Sequence, residues 1–399
     1  MMSDTGNRFP RLSRRTVLGL LGIGAGWELT SMWREGSEGG AVLQAADSRS
    51  DKLIFPKGAI IRTVLKDIPP GELTPGATLF HEHIAADTVD DVVIEELNAA
   101  KEAGVSCIVN AKSERPLNVA NLKTISTRTN MHIVACTGFY MEYTYPPELA
   151  TKSEDQIAED FVQEAKREGF GAYGEMGQSP NTRELSPAER KVFRAAGKAH
   201  LRTNLPIFTH NPYGTGPNVP REAGLLQLDA FEAVGVKPQS VAVGHTCCLD
   251  DPKADIIKQI AKRGAFVGFD RMEDFHPALP PGARPRLNGT VHDVPDEQRV
   301  KEVLELLDAG YEKNLLLADD STIQPLKISE EIGQLMKEHW LTEADAAKIK
   351  TMIYRSMGVG RSVSRVVPKL RKAGVKEKTL HTILYDNPRR FLAFEPKTS

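Results

Sequence analysis

Between Ala77 and Asp320, eight short apolar runs alternate with longer amphipathic stretches, and that alternation restricts the chain to few folds. The apolar runs are Ala77 to His83, Val105 to Asn110, His132 to Gly138 and Ala172 to Glu175, then Pro206 to His210, Val241 to His245, Ala265 to Asp270 and Leu315 to Asp320. Between them apolar residues recur three and four positions apart, as in Val92 to Ala103 and Ile157 to Glu168, which predicts helices. Gly104, Gly169, Gly235, Gly264 and Gly310 stand where a helix should stop before the next strand. Strand-then-helix alternation implies an α/β fold with a parallel sheet. Eight units fit a closed (β/α)8 TIM barrel better than an open doubly wound sheet. No G-x-G-x-x-G follows the first run, which removes the main reason to prefer the open sheet.

The 399 residues suit one large barrel or two medium domains, so length does not choose between them. The formal net charge is -2 and no long basic block occurs, so a nucleic-acid footprint is not supported. Cys107, Cys136, Cys247 and Cys248 lack C-x-x-C spacing, so buried thiols are expected rather than a disulfide scaffold or zinc knuckle.

Residues 1–50 read as a transport segment, leaving 51–399 as the barrel domain. A basic stretch from Arg11 precedes an apolar run from Val17 to Trp27, too short and glycine-rich for a comfortable membrane span. Arg14-Arg15, with Ser13 before and Val17-Leu18 after, resembles a bacterial twin-arginine signal. That resemblance implies the twin-arginine export machinery as a partner and a periplasmic or secreted product, tethered to the membrane if uncleaved. Ala45-Ala46 is the cleavage candidate.

A barrel places its chemistry at the carboxyl ends of its strands and on the loops that follow. His81 and His83 close the first run, two residues apart, and so point to the same face, with Glu82 between them turned outward. Glu175, His210 and His245 end the fourth, fifth and sixth runs, and Asp319-Asp320 end the eighth. Any one of these alone is better read as a satisfied core histidine or a capping acid. Jointly they read as a metal centre. Of the other histidines (His132, His200, His276, His292, His339 and His381) only His132 touches a run, at its start and so at the wrong end.

The pattern resembles the amidohydrolase superfamily and, within it, the phosphotriesterase family. The resemblance spans roughly Thr63 to Phe394. It is carried by Phe80-His-Glu-His83, Thr137-Gly-Phe-Tyr140, Gly174-Glu-Met-Gly177, Phe208-Thr-His210, Val243-Gly-His245, Ala318-Asp-Asp320 and Asn387-Pro-Arg-Arg-Phe391. It implies two divalent ions, one held by His81, His83 and Asp320, the other by His210 and His245. Asp320 matches the family aspartate, with Asp319 as its rival. The best-known members bridge their ions with a carbamylated lysine. Here that position reads Glu175, as in the family's glutamate-bridged branch, the phosphotriesterase homology proteins. Family members are often dimers, so a homodimer is the expectation by analogy.

Two such ions share a water and lower its pKa toward neutrality, giving a metal-bound hydroxide, with Asp320 as proton acceptor. Zinc suits the mixed imidazole and carboxylate set, with iron, manganese or cobalt as substitutes. The implied activity is hydrolysis of a small ester, lactone or phosphotriester. An amide or carbamate hydrolase on the same centre is the alternative, and a non-catalytic periplasmic ligand-binding barrel is the third reading. Tyr140, Tyr143 and Tyr145 after the third run, and Arg271, Met272 and Phe275 after the seventh, are candidate pocket residues. Tyr140 and Arg271 are the substrate-binding candidates, Arg271 able to grip a carboxylate or phosphate. The proline-rich stretch from Arg271 to Pro295 is long enough for a lid or for a plain surface excursion. Lys112 and Glu114-Arg-Pro116 replace the glycine-arginine-aspartate turn of many relatives, which argues against simple transfer of a known substrate.

Overall fold

Ahead of the barrel lies a two-stranded antiparallel hairpin, β1 (Ile61–Arg62) against β2 (Asp67–Ile68). In the computed structural model the described residues are 53–397, without 85, 112–116, 180–182, 212–220, 250, 273–282, 287–288, 293 and 295. Within 324–357 only 333, 336–337, 341–344 and 346–347 are described. Residues 1–50, where the export signal is expected, lie outside the described residues. Lys112, Arg115, Phe275 and His276 do too.

The barrel is built by β3 (Ala77–Ile84), α1 (Asp91–Glu102), β4 (Val105–Asn110), α2 (Val119–Thr129), β5 (His132–Thr137), α3 (Glu154–Glu168), β6 (Ala172–Gly177) and α4 (Pro187–Thr203). The second half runs β7 (Ile207–His210), α5 (Ala223–Glu232), β8 (Val241–Val243), α6 (Asp255–Lys262) and β9 (Phe266–Phe269). A hairpin follows, β10 (Ala283–Arg286) paired antiparallel with β11 (Gly289–His292), then α7 (Asp296–Asp308), β12 (Leu315–Leu317) and β13 (Thr322–Ile323). Strands β3 to β9 pair in parallel in chain order. The eighth stave is split: β12 pairs with β9 and β13 pairs with β3, so the two pieces together close the ring.

Local chemistry explains the element ends. Ser153 and Ser186 form capping boxes with Gln156 and Glu189 at the starts of α3 and α4, each satisfying two otherwise unpaired amides. Asp251 accepts from the first amides of α6, those of Asp255, Ile256 and Ile257. The five glycines expected to stop helices all have positive φ, between 74° and 104°. The expected Asn387-Pro-Arg-Arg-Phe391 motif ties the chain's end to the barrel: Asn387 is buried and its side chain donates to the carbonyls of Glu312 and Leu315, just before and within β12. Ile60 and Phe394 pair across the two ends of the described chain.

All four cysteines are buried and free, as expected. No described helix is long and apolar enough to cross a membrane. Among the described residues, the stretch after the seventh strand contains the β10–β11 hairpin.

One buried acid on α7 makes stability depend on pH. Glu302 is fully buried, with Oε1 accepting from Gln298 Nε2 at 3.0 Å and Oε2 without a hydrogen-bond partner. Burial pushes its carboxyl from the ordinary 4.5 up to about 8. Between those values the folded state holds a proton that the unfolded chain has lost, so stability falls as pH rises through that window. Glu302→Gln is therefore expected to stabilise the protein by about 2–4 kcal/mol near pH 9 and hardly at all near pH 5. Thermal unfolding of both proteins across that range checks this; parallel curves would sink it.

Candidate metal centre

The H-E-H triplet at the end of β3 does two jobs. His81 and His83 face the barrel mouth, His81 fully buried. Glu82 was expected to turn outward to the helices; it turns instead to the broken eighth stave. Between β12 and β13 three successive amides lose their ladder partners, and β3 supplies replacements. Glu82 Oε1 accepts from Asp319 N and Oε2 from Ser321 N, each at 2.7 Å, while Asp320 N donates to the His81 carbonyl at 3.2 Å. His83 N in turn donates to the Ser321 carbonyl at 2.8 Å. These bonds hold Asp320 at φ 48°, a left-handed conformation that a non-glycine residue adopts at a cost.

The sixth stave also differs from the expected strand. β8 stops at Val243, and His245 sits beyond it at φ 54° rather than in extended backbone. Its amide donates to both oxygens of Asp270, at 2.9 and 3.0 Å, and its ring Nδ1 lies 3.0 Å from Asp270 Oδ1. Gly244 permits this approach: a Cβ there would lie 2.2 Å from the Thr209 carbonyl oxygen and 3.0 Å from Asp270 Oδ2. His210 ends β7, where Thr209 Oγ1 bonds Gln227, and Gln227 Nε2 donates to the His210 carbonyl.

The six residues expected at the site converge. His83 Nε2 is 3.2 Å from Asp320 Oδ1 and 3.4 Å from Glu175 Oε1. His81 Nε2 is 3.2 Å from Glu175 Oε2 and 3.8 Å from Asp320 Oδ1. His210 Nδ1 is 3.0 Å from Glu175 Oε2 and 2.8 Å from His245 Nε2, and His245 Nε2 is 4.0 Å from Asp320 Oδ2. Ligand atoms of His81, His83 and Asp320 lie within 4.8 Å of one another, as do those of His81, Glu175 and His245. Glu175 thus stands between the two groups.

This donor set fits divalent cations. His81 Nε2 is buried without a hydrogen-bond partner, facing Glu175 without the geometry of a hydrogen bond. Two imidazole nitrogens 2.8 Å apart, as in His210 and His245, require a proton or a cation between them. The electrostatics agree. Burial alone would raise the Glu175 carboxyl, but His81 and His210 outweigh it and hold it well below the usual carboxylate range. Burial would likewise raise Asp320, yet His83, His245, His81 and Arg271 hold it well down. Burial, with His245 beside it, lowers His210 to about 4, leaving a neutral ring able to ligate.

Asp319 faces away from the cluster. Its carboxylate accepts from Gly360 N, Ser362 N and Ser362 Oγ. Arg271 is buried, with Nε 3.4 Å from Asp320 Oδ2. Of the three tyrosines after β5, Tyr140 packs edge-on against the His210 ring at 4.9 Å. Tyr145 instead packs against Phe139, and Tyr143 is exposed. Sequence reasoning missed Asp270, whose Oδ2 lies 2.9 Å from His81 Nδ1 while Oδ1 holds His245. Its place as the last residue of the seventh apolar run was the available signal. Burial would raise Asp270, and His245 and then His81 hold it far below the carboxylate range.

A model of the phosphotriesterase family matches residues 60–392. Over 335 residues the chain is 27% identical to a phosphotriesterase homology protein of Escherichia coli, covering 79% of this chain and 97% of that one. It is 24% identical over 339 residues to an aryldialkylphosphatase of Saccharolobus solfataricus, covering 80% and 95%. An N-acetyltaurine hydrolase of Bos taurus is 25% identical over 321 residues, covering 79% and 80%. Among solved structures, that of the Escherichia coli phosphotriesterase homology protein, with phosphate in its active site, superposes with a TM-score of 0.62 at 25% identity, covering 82% of this chain and all of that one. With an eight-stave parallel barrel, four histidines and two carboxylates gathered at its mouth, and a family match running through both, this chain belongs to the phosphotriesterase family.

Proposed function

We propose that the protein is a metal-dependent hydrolase of a small molecule, with an ester or lactone as the bond cleaved. The observation that carries the reading is the convergence of His81, His83, Glu175, His210, His245 and Asp320 around one buried space. His81, His83 and Asp320 would hold one divalent ion, His210 and His245 the other, and Glu175 would reach both through its two oxygens. Zinc fits best a set of four imidazoles and two carboxylates. Two divalent ions supply water acidified toward neutral pH and a Lewis acid for the carbonyl or phosphoryl oxygen.

The chain's own residues do the rest. Asp320, ionised and at the rim, accepts the proton of the attacking water at a carboxylate oxygen and passes it to the leaving group. Arg271, against Asp320, keeps that carboxylate charged and offers a planar cation to an anionic part of the substrate. Tyr140, edge-on to His210, offers an apolar wall beside that ligand. The buried thiols Cys247 and Cys248 are not needed as nucleophiles.

A second reading is favoured by one observation. The N-acetyltaurine hydrolases among the relatives are named for cleaving an amide that carries an anionic tail. The same centre serves an amide carbonyl, with Arg271 on the anion.

One assay tests both readings. Purified protein should carry about two ions per chain and turn over lactones, aryl esters or aryl phosphotriesters. Thorough chelation should abolish turnover and zinc should restore it. Turnover of N-acyl amino sulfonates alone would favour the second reading. Full activity after metal removal would overturn both, and two bound ions with no turnover of any substrate would point to a ligand-binding barrel.

A further inference from the structure

Asp270 carries more bonds to the site than any single ligand needs. The carboxylate is fully buried at the end of the seventh stave. One oxygen meets His81 Nδ1 at 2.9 Å, and the other meets His245 Nδ1 at 3.0 Å. Both oxygens also accept from the His245 amide, and Cys247 Sγ lies 3.6 Å from Oδ1. His81 comes from the first stave and His245 from the loop after the sixth, so one carboxylate fixes two rings that reach the cluster from separate staves. A carboxylate accepts only, so each ring must present Nδ1–H to it. That leaves each Nε2 with a lone pair, and both Nε2 atoms face the cluster.

We propose that Asp270 is the positioning residue of this centre: by setting the tautomer and orientation of His81 and His245 together, it couples the assembly of the two metal subsites. The inference rests on the metal-dependent reading above. Ligand histidines held by a carboxylate on the remote nitrogen are more basic and less free to rotate, and loss of such a partner weakens metal binding roughly 10–100-fold. What is particular here is that one group serves a ligand of each subsite. Asparagine is the informative replacement, because it has one acceptor oxygen and one donor nitrogen. It can satisfy only one of the two ring N–H groups. The other ring must turn its tautomer and present a hydrogen to the cluster.

The experiment compares wild type, Asp270→Asn and Asp270→Ala as metal-free protein titrated with zinc against a chromophoric chelator, alongside imidazole nitrogen NMR of the metal-free forms. Wild type should bind two ions tightly and show Nδ1–H on both rings. Asp270→Asn should keep one tight ion and lose roughly 10–100-fold at the other, with one of the two rings switched to Nε2–H. Asp270→Ala should weaken both. Binding of both ions within about threefold of wild type in either variant would overturn the proposal, as would unchanged tautomers in Asp270→Asn. Metal loss that only tracks a collapse of the metal-free unfolding temperature would reduce Asp270 to a core-stabilising group and overturn it too. If wild type binds no zinc, the metal-dependent reading fails, and the ring-nitrogen spectra still decide whether Asp270 sets the tautomers.

Discussion

Replacement of Asp320 by asparagine is expected to lower kcat by about 10²–10⁴ at saturating metal, with a much smaller change in KM. The amide keeps the volume and one ligand oxygen but cannot accept the proton that hydrolysis must remove. The surrounding bonds should hold it in place, because they grip the backbone and not the side chain: Glu82 takes the amides on either side, and His81 takes that of Asp320 itself. Steady-state kinetics on the best substrate from the screen, with metal content measured on the same samples, checks this. A fully loaded variant with kcat within about threefold of wild type would remove Asp320 from the proton-accepting role.

The neighbouring residue is expected to behave in the opposite way. Asp319 is 1% exposed, and its carboxylate accepts at 2.5 Å from Gly360 N, at 2.7 Å from Ser362 N and at 2.5 Å from Ser362 Oγ. Arg361 donates to its carbonyl at 3.1 Å. Together these bonds fasten the segment before Ser362–Val366 to the back of the eighth stave. Asp319→Ala leaves two buried amides unpaired, the Ser362 hydroxyl keeping the Ala318 carbonyl at 2.7 Å as its acceptor, and should cost about 2–4 kcal/mol of stability, while Asp319→Asn, which keeps part of the set, should cost about 1–2 kcal/mol. Denaturant unfolding gives the ranking; an alanine variant as stable as wild type would show that the carboxylate does not hold this segment. Two adjacent aspartates are thus expected to divide into one whose loss lowers turnover and one whose loss costs stability.

Much of this was legible without coordinates. The eight runs mark the eight staves, and their ends name the residues that gather at the mouth, because strand period and barrel topology are both written in apolar spacing. His81 and His83 illustrate the strength of that reasoning, being two apart on one strand and on one face. His245 and Asp320 illustrate its limit. Apolar spacing places both in strands, yet both stand past the strand in left-handed turns, aimed by hydrogen bonds from other staves rather than by alternation. Tyr143 and Tyr145 also departed from expectation, since a loop's position in the chain does not say which of its side chains turns inward.

The sequence by itself determined the barrel and its order of staves, which follow from local periodicity set by neighbouring residues. The run ends brought forward the candidate site residues, and the resemblance to a known family, not periodicity, chose Asp320 over Asp319. The tertiary structure alone decided what orients them. Glu82 holds amides from residues 319 and 321, and Asp270 holds a ring 189 positions earlier in the chain together with one 25 positions earlier. Such contacts exist only once the ring closes and brings the first stave beside the last, and nothing in the spacing of either carboxylate records which distant group it will meet.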